Sequence, residues 1–507
     1  MAGIVYLVGA GPGDYKLITV KGRECIEKAD VIVYDYLADE KLLQWAKPSA
    51  EIIYAGKQCK NHTFKQEEIN AMLVAYGQAG KVVARLKGGD PLVFGRGGEE
   101  ALALKDAGVP FEFVPGVTSA ISAPAYAGIP VTQRAVATSF AIVTGHEDPK
   151  KNESGIHWQG LATSVDTISF VMGVSNLPLI SKRLIEYGRS KDTPVAVIRW
   201  GTKAEQETVV STLENVAEDV AKAQLKPPAL IVVGEVVTYR DALRWFDNKP
   251  LFGKTIMVTR ARAKASVLTE QLEALGARVV EAAAIKTAPL ALTQADEDIL
   301  LQSGSYKAVV FTSAEGVRYY FDSLRQLGKD ARLLGSAKIC AIGTGTAKAL
   351  EQKGILADIV PVDYKGESVV TAVTSYVKAG ESVLLIQPKK ARPVIPEGLR
   401  GAGIDVQIVR LYETLLDESQ AEVMQQALKD NAVDCITFTS SSTVLNTLQL
   451  LGAEGKALLG HTQIACIGPI TAATCVEQGL ELAYISEVHT IPALVEGVKE
   501  LLSNGKQ

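Results

Sequence analysis

A predicted strand that runs directly into a glycine-rich loop sets the strongest limit on how this chain can fold. The β-branched run begins at Val82 and leads into Gly88, Gly89 and Asp90, with more glycines before an acidic helix start near Glu100. Glycine carries no Cβ, so its backbone can approach a ligand closely. The pattern predicts an α/β fold in which a strand delivers a bare loop to a ligand. An ordinary glycine-rich connection is the alternative.

Length and composition favour several well-packed domains and argue against some functional classes. A chain of 507 residues is too long for one core, and a hydrophobic fraction of 47% is typical of α/β proteins. There is no apolar run of membrane-spanning length and no signal-peptide pattern, so we expect a cytoplasmic protein that does not enter a membrane. A net charge of -4 without a basic stripe argues against nucleic acid as a partner. The six scattered cysteines are expected to be reduced core residues, and no metal site is expected.

A second glycine loop follows the first predicted strand, Ile4 to Val8. Gly9 and Gly11 fit a dinucleotide-binding fingerprint, but Asp14 occupies the sixth position, where that fingerprint requires glycine. A nicotinamide-dependent dehydrogenase is therefore a disfavoured alternative. An adenosine-bearing or anionic small molecule is the expected ligand.

Opposite charges end the next two predicted strands. Asp35 follows the strand that begins at Val31, and Lys57 follows the strand that begins at Glu51. Ligands of open α/β sheets bind beyond the carboxyl ends of the strands, so both side chains are expected to face one crevice. The alternative is that Asp35 caps a helix and Lys57 is a solvated surface charge.

After Arg134 the chain contains four predicted strands that each end in a small residue, and these begin at Ala141, Thr167, Val195 and Ala229. The series predicts a second, smaller α/β lobe with a ligand lying along its strand ends. The pattern breaks at residues 248–250. We therefore expect one domain over residues 1–248, with lobes of about 1–134 and 135–248, and another over 251–507.

The second half of the sequence contains an internal repeat. The segment 310–313 recurs at 437–440, and the segment 339–343 recurs at 464–468. Two copies of one α/β unit and a bilobal protein with a cleft are predicted. Ile285 of the first copy corresponds to Tyr412 of the second. A phenol at one of two equivalent positions is a candidate proton donor, and a space-filling aromatic is the alternative.

Hydroxyl groups and glycines mark predicted helix starts in both copies. They stand at Ser313 and Gly343 in the first copy, and at Gly468 and the segment Ser440, Ser441 and Thr443 in the second. Free amides and the positive end of the helix dipole make each start a potential carboxylate site. Simple N-capping explains each one equally well.

The N-terminal half, to about Phe246, resembles the uroporphyrinogen-III C-methyltransferases of the tetrapyrrole methylase family. The matching stretches are Gly9–Asp14, Arg85–Glu100, Pro115–Ala120, Val143–His146 and Met172–Gly173. The resemblance implies use of S-adenosylmethionine, which is released as S-adenosylhomocysteine. It implies that the cofactor is contacted by Pro12, Gly88, Gly89, Asp90, Val93, Thr118, Ser119, Met172 and Gly201. It also implies Asp35 and Lys57 as proton acceptor and donor, and a homodimer formed through this half.

Two residues depart from the pattern of that family. Tyr36 and Gln58 stand where many relatives carry arginine, although the substrate is rimmed with acetate and propionate groups. Other cations are therefore expected to contact those carboxylates, since guanidinium and ammonium groups bind them well. The candidates are Arg85, Arg96, Arg134 and Lys60.

The C-terminal half, from about Gly253, resembles the uroporphyrinogen-III synthase family. The matching stretches are Phe438–Ser441, Ile467–Pro469 and Arg410–Thr414. The resemblance implies a flavodoxin-like bilobal α/β fold that closes hydroxymethylbilane with inversion of ring D. It implies Tyr412 as the residue that helps water leave. Substrate contacts are expected from Ser313, Ser440, Ser441 and Thr443.

The two resemblances together predict a fused bifunctional enzyme. It would make uroporphyrinogen III and methylate it twice to precorrin-2, on the route to cobalamin or sirohaem. One alternative is a methylase for a later corrin intermediate. Another is that the C-terminal half is a tetrapyrrole-binding or docking module without activity.

Overall fold

The computed structural model describes residues 3–56, 64–146, 155–260, 262–361, 363, 365–430 and 432–503. The chain divides into two compact units, one made of Met1–Thr255, Gln271–Val279 and Leu502–Gln507, and the other of Ile256–Glu270 and Val280–Leu501. In the part of the chain that the structure describes, no helix has both the length and the apolar character needed to cross a bilayer.

The first lobe of the N-terminal unit is a five-stranded parallel sheet with strand order β3-β2-β4-β1-β5. Its elements are β1 (Ile4–Gly9), α1 (Val20–Lys28), β2 (Val31–Tyr34), β3 (Glu51–Tyr54), α2 (Gln66–Gln78), β4 (Val82–Lys87), α3 (Gly97–Asp106), β5 (Phe111–Val114) and α4 (Ser119–Tyr126). Five of the six residues of β4 are buried, as expected for a central strand covered on both faces. All the carboxyl ends of these strands therefore meet at one edge.

The second lobe is a five-stranded mixed sheet with order β6-β7-β10-β8-β9. Its elements are β6 (Phe140–Thr144), α5 (Trp158–Ser164), β7 (Thr167–Val171), α6 (Leu177–Glu186), β8 (Pro194–Arg199), β9 (Glu207–Thr212), α7 (Val216–Lys222), β10 (Ala229–Val233) and α8 (Arg240–Leu243). Strand β10 runs antiparallel to both β7 and β8. The expectation that all four predicted strand ends line one ligand is therefore wrong for β10, whose first residues lie at the edge where β7 and β8 end.

The C-terminal half contains two further five-stranded sheets, with orders β12-β11-β18-β19-β20 and β13-β17-β16-β14-β15. Its strands and first helices are β11 (Thr255–Val258), α9 (Arg262–Ala274), β12 (Arg278–Glu281), β13 (Ile285–Pro289), α10 (Gln294–Leu301), β14 (Ala308–Phe311), α11 (Ala314–Gln326), β15 (Lys338–Ala341), α12 (Thr344–Glu351), α13 (Gly366–Thr374), β16 (Ser382–Pro388), α14 (Val394–Gly401) and β17 (Asp405–Leu416). The chain then continues through α15 (Ala421–Lys429), β18 (Cys435–Phe438), α16 (Ser441–Leu451), α17 (Gly455–Leu459), β19 (Gln463–Cys466), α18 (Pro469–Glu477), β20 (Tyr484–Ile485) and α19 (Ile491–Ser503).

Each of these sheets combines halves of both sequence copies. Strands β11 and β12 of the first copy join β18 and β19 of the second, while β16 and β17 of the second copy join β14 and β15 of the first. The repeat predicted from the sequence is present, but one copy does not form one lobe. When the five strands of the sheet β12-β11-β18-β19-β20 are renumbered 1 to 5 in chain order, the sheet has the order 2-1-3-4-5 of flavodoxin-like folds. The predicted two-lobed, flavodoxin-like α/β class is therefore confirmed.

The exchange of halves takes place at the antiparallel pair formed by β13 and β17. In this pair Thr287 lies opposite Thr414, and the two are equivalent positions of the two copies. Pro289 lies opposite Tyr412, and Ile285 lies opposite Leu416. Tyr412 therefore stands on the strand that passes between the two lobes of the C-terminal half, next to the core built on β14 and β16.

Candidate functional site

A cavity of about 360 Å³ lies in the N-terminal unit at the edge where the parallel strands end. Residues that follow β1, β2 and β4 line it from the first lobe, and residues at the ends of β7 and β8 and the start of β10 line it from the second. The structure brings together all the predicted cofactor residues in this cavity, namely Pro12, Gly88, Gly89, Asp90, Val93, Thr118, Ser119, Met172 and Gly201.

The glycine loops form the cavity floor by approaching each other more closely than larger residues allow. A Cβ atom on Gly9 would stand 2.4 Å from the Cα atom of Gly116. The Gly89 amide donates to the Gly11 carbonyl oxygen at 2.7 Å, and the Gly11 amide donates to the Gly89 carbonyl oxygen at 3.2 Å. Bare backbone at this position leaves room for a ligand as large as an adenosine.

Asp90 holds these loops in place. Its Oδ2 accepts a hydrogen bond from the Gly116 amide at 2.9 Å, and its Oδ1 accepts one from the Leu92 amide at 2.8 Å. Each oxygen keeps a lone pair for another donor. The carboxylate can therefore serve the loop and a bound hydroxyl or ammonium group together.

A cluster of buried charges lies behind Asp35, which is itself 27% exposed in its side chain. The Arg85 Nη2 atom is 3.5 Å from Asp35 Oδ2. Glu100 Oε1 accepts hydrogen bonds from Lys87 Nζ at 2.7 Å and from Arg85 Nε at 3.3 Å, and Gln66 Nε2 donates to the same oxygen at 3.2 Å. Asp35 is thus held at the cavity wall by a network anchored on the fully buried Glu100.

The cationic members of this network face the cavity. Arg85 and Lys87 line it together with the neutral Gln66, whereas the Glu100 Oε2 atom is buried and has no hydrogen-bond partner among the residues that the structure describes. Burial lowers the pKa of Lys87 below its usual value, and the neighbouring Arg85 lowers it further, while Glu100 opposes both effects. Lys87, Glu100 and Gln66 were not among the site residues predicted from the sequence. Arg85 and Lys87 stand two apart on one strand, and this spacing places both on the same face.

Four non-glycine residues with left-handed backbone conformations line the same cavity. Their φ angles are 54° at Phe94, 59° at Arg96, 56° at Met172 and 49° at Trp200. Such conformations cost free energy and concentrate at functional sites, where the surrounding structure fixes them. The clustering supports a ligand site at this cavity independently of any sequence motif.

The cations predicted to contact the substrate have different surroundings. Arg96 lines the cavity and forms a two-point ion pair with Glu99, with an Nη2 to Oε2 distance of 2.7 Å. Arg134 is exposed in the turn closed by the Gln133–Ala137 bridge, and the structure does not bring it to the cavity wall. Lys57, Gln58 and Lys60 lie outside the described residues.

Tyr36, the first of the two departures from the family pattern, packs edge-on against Trp200 of the cavity lining, with ring centroids 5.8 Å apart. The Lys203 ammonium group lies over the Trp200 ring at 4.9 Å. Tyr36 is thus held in an aromatic cluster with a cation beside it.

In the C-terminal half, the Tyr412 side chain is buried against one residue that was predicted from the sequence, Ser313, and one that was not, Tyr319. Its hydroxyl lies 2.8 Å from Ser313 Oγ, and its ring stacks on Tyr319 with centroids 5.1 Å apart. The Tyr319 hydroxyl lies 3.2 Å from Thr287 Oγ1. Burial raises the pKa of Tyr412 above its usual value, and the hydrogen bond to Ser313 partly opposes this. The phenol is therefore kept protonated at neutral pH.

The predicted hydroxyl sites act as helix caps. Ser313 Oγ accepts from the Gly316 amide at 2.9 Å at the start of α11. Ser440 and Thr443 form a reciprocal capping box at the start of α16, and Thr443 is buried. Ser441 Oγ accepts from Thr474 Oγ1 at 2.7 Å. Capping, which the sequence left open as the alternative, thus occupies Ser313, Ser440 and Thr443, and Ser441 is hydrogen-bonded to α18 instead. Substrate contact through the helix-terminal amides stays a prediction.

Family models match both halves of the chain. The model of Tetrapyrrole (Corrin/Porphyrin) Methylases matches residues 4–217, and the model of Uroporphyrinogen-III synthase HemD matches residues 266–496.

Similar proteins are found over the whole chain and over its first half. Porphyrin biosynthesis protein HemD of Ruminiclostridium josui is 36% identical over 499 residues, which is 98% of each chain. Uroporphyrinogen-III C-methyltransferase of Bacillus subtilis (strain 168) is 38% identical over 496 residues, covering 96% of this chain and 97% of that relative. The crystal structure of uroporphyrin-III C-methyl transferase from Thermus thermophilus complexed with S-adenyl homocysteine is 42% identical, with a TM-score of 0.40, over 46% of this chain and 99% of that chain.

Proposed function

The chain belongs to the family of fused proteins in which a tetrapyrrole methylase precedes a uroporphyrinogen-III synthase, and from this premise we propose that it carries out two consecutive reactions. The synthase half, over residues 251–507, closes hydroxymethylbilane to uroporphyrinogen III. The methylase half, over residues 1–248, adds two methyl groups to give precorrin-2, the precursor of cobalamin and sirohaem. The observation that carries the methylase assignment is the convergence of all the predicted cofactor residues on one cavity.

S-adenosylmethionine fits the residues that line this cavity. Gly88 and Gly89 present backbone without side chains, Val93 and Met172 supply apolar surface, and Asp90 has acceptor capacity for hydroxyl or ammonium groups. When bound, the cofactor supplies a methyl group on a sulfonium centre, which is already a good leaving group. The protein then contributes mainly alignment, which can lower a barrier by several kcal/mol.

Asp35 is the candidate base for the proton that the macrocycle loses after methylation. Its carboxylate lines the cavity, where the Leu37 amide donates to Oδ1 at 3.1 Å. Arg85 contacts the other oxygen, so the carboxylate is fixed at both ends. A positioned carboxylate of this kind is suited to general base catalysis. Arg85 and Lys87 add positive charge that suits a substrate rimmed with carboxylates.

The variant Asp35→Ala tests this assignment. We expect it to bind S-adenosylmethionine as the unaltered protein does, measured by calorimetry, and to lose methyl transfer by about 100-fold or more. Asp39→Ala is the matched control, because Asp39 caps the short helical segment that follows and does not line the cavity. A folded Asp35→Ala protein that lost cofactor binding, or that kept full methyl transfer, would contradict the role.

Tyr412 is the candidate acid of the synthase half. Loss of the terminal hydroxyl of hydroxymethylbilane as water leaves an azafulvene cation, and a protonated phenol can assist that loss. Closure of the two lobes around the linear bilane restricts the conformations of the bilane, and this restriction provides much of the remaining catalysis. We therefore expect Tyr412→Phe to slow formation of uroporphyrinogen III by about 100-fold, the low end of the range for a general acid.

A further inference from the structure

The Ser313 hydroxyl stands between the first turn of α11 and the phenol of Tyr412. We propose that Ser313 is a positioning residue, which directs the hydroxyl proton of Tyr412 away from the protein and toward the leaving hydroxyl of the bilane. The inference rests on the proposed role of Tyr412 and goes beyond the substrate contact that the sequence predicted for Ser313.

The hydrogen-bond capacity of a serine hydroxyl makes this direction possible. Ser313 Oγ accepts a hydrogen bond from the Gly316 amide at 2.9 Å and lies 2.8 Å from the Tyr412 hydroxyl. A hydroxyl has one proton and two acceptor sites. Ser313 therefore either accepts the phenol proton at its second site or donates its own proton to the phenol oxygen.

The helix start favours donation by Ser313. The Gly316 amide and the positive end of the α11 dipole draw electron density from Ser313 Oγ, and a hydroxyl that already accepts one hydrogen bond becomes a better donor. When Ser313 donates, the Tyr412 oxygen is the acceptor and its own proton is free to point elsewhere. The resulting chain runs from the Gly316 N–H through Ser313 O–H to Tyr412 O–H.

The Tyr412 ring is held in one orientation, so only the direction of its hydroxyl proton can change. Ser313 sets that direction. Tyr412 is 5% exposed and stacks on Tyr319 with an interplanar angle of 13°. The Tyr319 hydroxyl is tied to Thr287, which pairs with Thr414 on the strand that carries Tyr412. Burial also keeps the phenol protonated, since it raises the pKa of Tyr412.

The proton balance closes over the whole reaction. The phenol proton joins the leaving hydroxyl as the carbon–oxygen bond breaks, giving water, and the pyrrole nitrogen lone pair forms the azafulvene cation. The cationic carbon bonds first to the ring D carbon that already carries a methylene bridge, which gives a spiro ring. The old bond from that carbon to its bridge then breaks, and the bridge, now an azafulvene carbon on ring C, bonds to the free α-carbon of ring D. That carbon loses its proton, and ring D regains aromaticity in the inverted orientation. That proton restores the phenol, so the reaction consumes bilane and releases uroporphyrinogen III and water.

The second copy of the repeat shows that capping alone does not need the phenol. Ser440 is the equivalent of Ser313 and caps α16, where its Oγ accepts from the Thr443 amide at 3.3 Å. When the two copies of the repeat are aligned, Ile285 takes the position of Tyr412. A serine cap thus occurs in both copies, and the serine–tyrosine contact is an addition at one of them.

A double-variant cycle in the full chain tests the proposal, with Ser313→Ala, Tyr412→Phe and the two combined. The rate of uroporphyrinogen III formation from hydroxymethylbilane is measured, with type I product as the spontaneous background. We expect Ser313→Ala to lower kcat by about tenfold to 100-fold with KM nearly unchanged, because the phenol proton is misdirected. In the Tyr412→Phe protein the same change should have no further effect on the rate. Ser313→Thr keeps a hydroxyl and should restore most of the rate.

A separate variant controls for the loss of stability that follows when a helix cap is removed. Thr293→Ala removes a side-chain cap of the same kind from α10, where Thr293 Oγ1 accepts from the Asp296 amide at 3.2 Å. It should lower the urea midpoint as Ser313→Ala does and leave the cyclisation rate unchanged. In the Tyr412→Phe background, Ser313→Ala should still lower the urea midpoint.

The outcomes separate this inference from the proposed function. If Tyr412→Phe cyclises as fast as the unaltered protein, the role of Tyr412 and the inference both fail. If Tyr412→Phe is slow but Ser313→Ala is not, or if Ser313→Ala slows Tyr412→Phe by an equal further factor, the synthase assignment stands. In that case Ser313 does not act through the phenol.

Discussion

Replacing Glu100 by glutamine is expected to destabilise the N-terminal half by about 3–5 kcal/mol. The Glu100 side chain is 0% exposed, and its Oε1 lies 2.7 Å from Lys87 Nζ and 3.3 Å from Arg85 Nε. Glutamine keeps the size of the side chain but removes its charge. Two buried cations then remain together, with the Asp35 carboxylate, 3.5 Å from Arg85, as their nearest counter-charge among the described residues. The cost arises because the cations stay buried after their partner has gone.

The effect of pH follows from the direction of the Lys87 shift. The pKa of Lys87 in the folded protein lies below its usual 10.5, because burial and Arg85 disfavour its charged form. The unfolded chain therefore binds more protons at this group, and folding becomes more favourable as pH rises toward 10.5. Without Glu100, which raises this pKa, Lys87 loses its proton at lower pH. The deficit of Glu100→Gln should accordingly shrink as pH is raised.

The assay must report on the N-terminal half by itself, since a long chain with several cores does not unfold in one step. Cys25 is buried in the core of the first lobe. Its labelling by a thiol reagent after urea equilibration, read on the Cys25 peptide by mass spectrometry to separate it from the other five cysteines, reports unfolding there. Glu99→Gln is the matched control, because its ion pair with Arg96 is exposed and is worth about 0–1 kcal/mol. The double variant Lys87→Met with Glu100→Gln should recover part of the loss. A deficit below about 1 kcal/mol, or a double variant less stable than the single one, would refute the reasoning.

Two further predictions concern the backbone of the cofactor loop and the entry to the second lobe. Gly9→Ala would place a Cβ atom 2.4 Å from the Gly116 Cα, so we expect a loss of about 1–3 kcal/mol in stability and weaker S-adenosylmethionine binding by calorimetry. Gly98→Ala, in α3 with no described atom within 4 Å of the added Cβ, should cause no loss of either, and equal behaviour of the two variants would contradict this. Hydrogen bonds from Thr138 and Ser139 lower the pKa of Asp166 to about 2 from its usual 3.8. This carboxylate should therefore contribute stability above pH 3.8 that is lost as pH falls through about 2, and acid titration of Asp166→Asn by tryptophan fluorescence should lack that component.

The cofactor cavity could be predicted from the sequence because its residues follow strands. Carboxyl ends of parallel strands meet at one edge, so the glycine loops after β1 and β4 could be placed at one crevice from the strand pattern, whereas the individual residues, such as Pro12, Gly88 and Thr118, came from the resemblance to the methylase family. The role of Glu100 could not be predicted, because it depends on how α3 packs against β4. An acidic residue in the first turn of a helix is usually solvated, and here it is fully buried.

The topology of the synthase half shows a different limit. Sequence similarity identified equivalent strands in the two copies, but equivalence does not say which strands pair. Strand β11 pairs with β18, and β16 pairs with β14, so each sheet joins halves of both copies. The direction of β10 was missed for a related reason, since a short run of apolar residues has the same pattern in a parallel and an antiparallel neighbour.

The contact between Ser313 and Tyr412 was likewise beyond sequence reasoning, although both residues were singled out. Each had a local explanation, a helix cap for one and a linker aromatic for the other. Only the pairing of β16 with both β14 and β17 brings them within hydrogen-bond distance. Long-range strand pairing of this kind is set by tertiary packing and not by local propensity.

The central claim is that one chain closes the bilane and then methylates the product. The most direct test supplies hydroxymethylbilane and S-adenosylmethionine together to the purified full chain, then separates type I from type III rings and counts the methyl groups added. We expect a type III ring that carries two added methyl groups. A type I ring formed at the spontaneous rate would contradict the synthase assignment, and an unmethylated type III ring would contradict the methylase assignment.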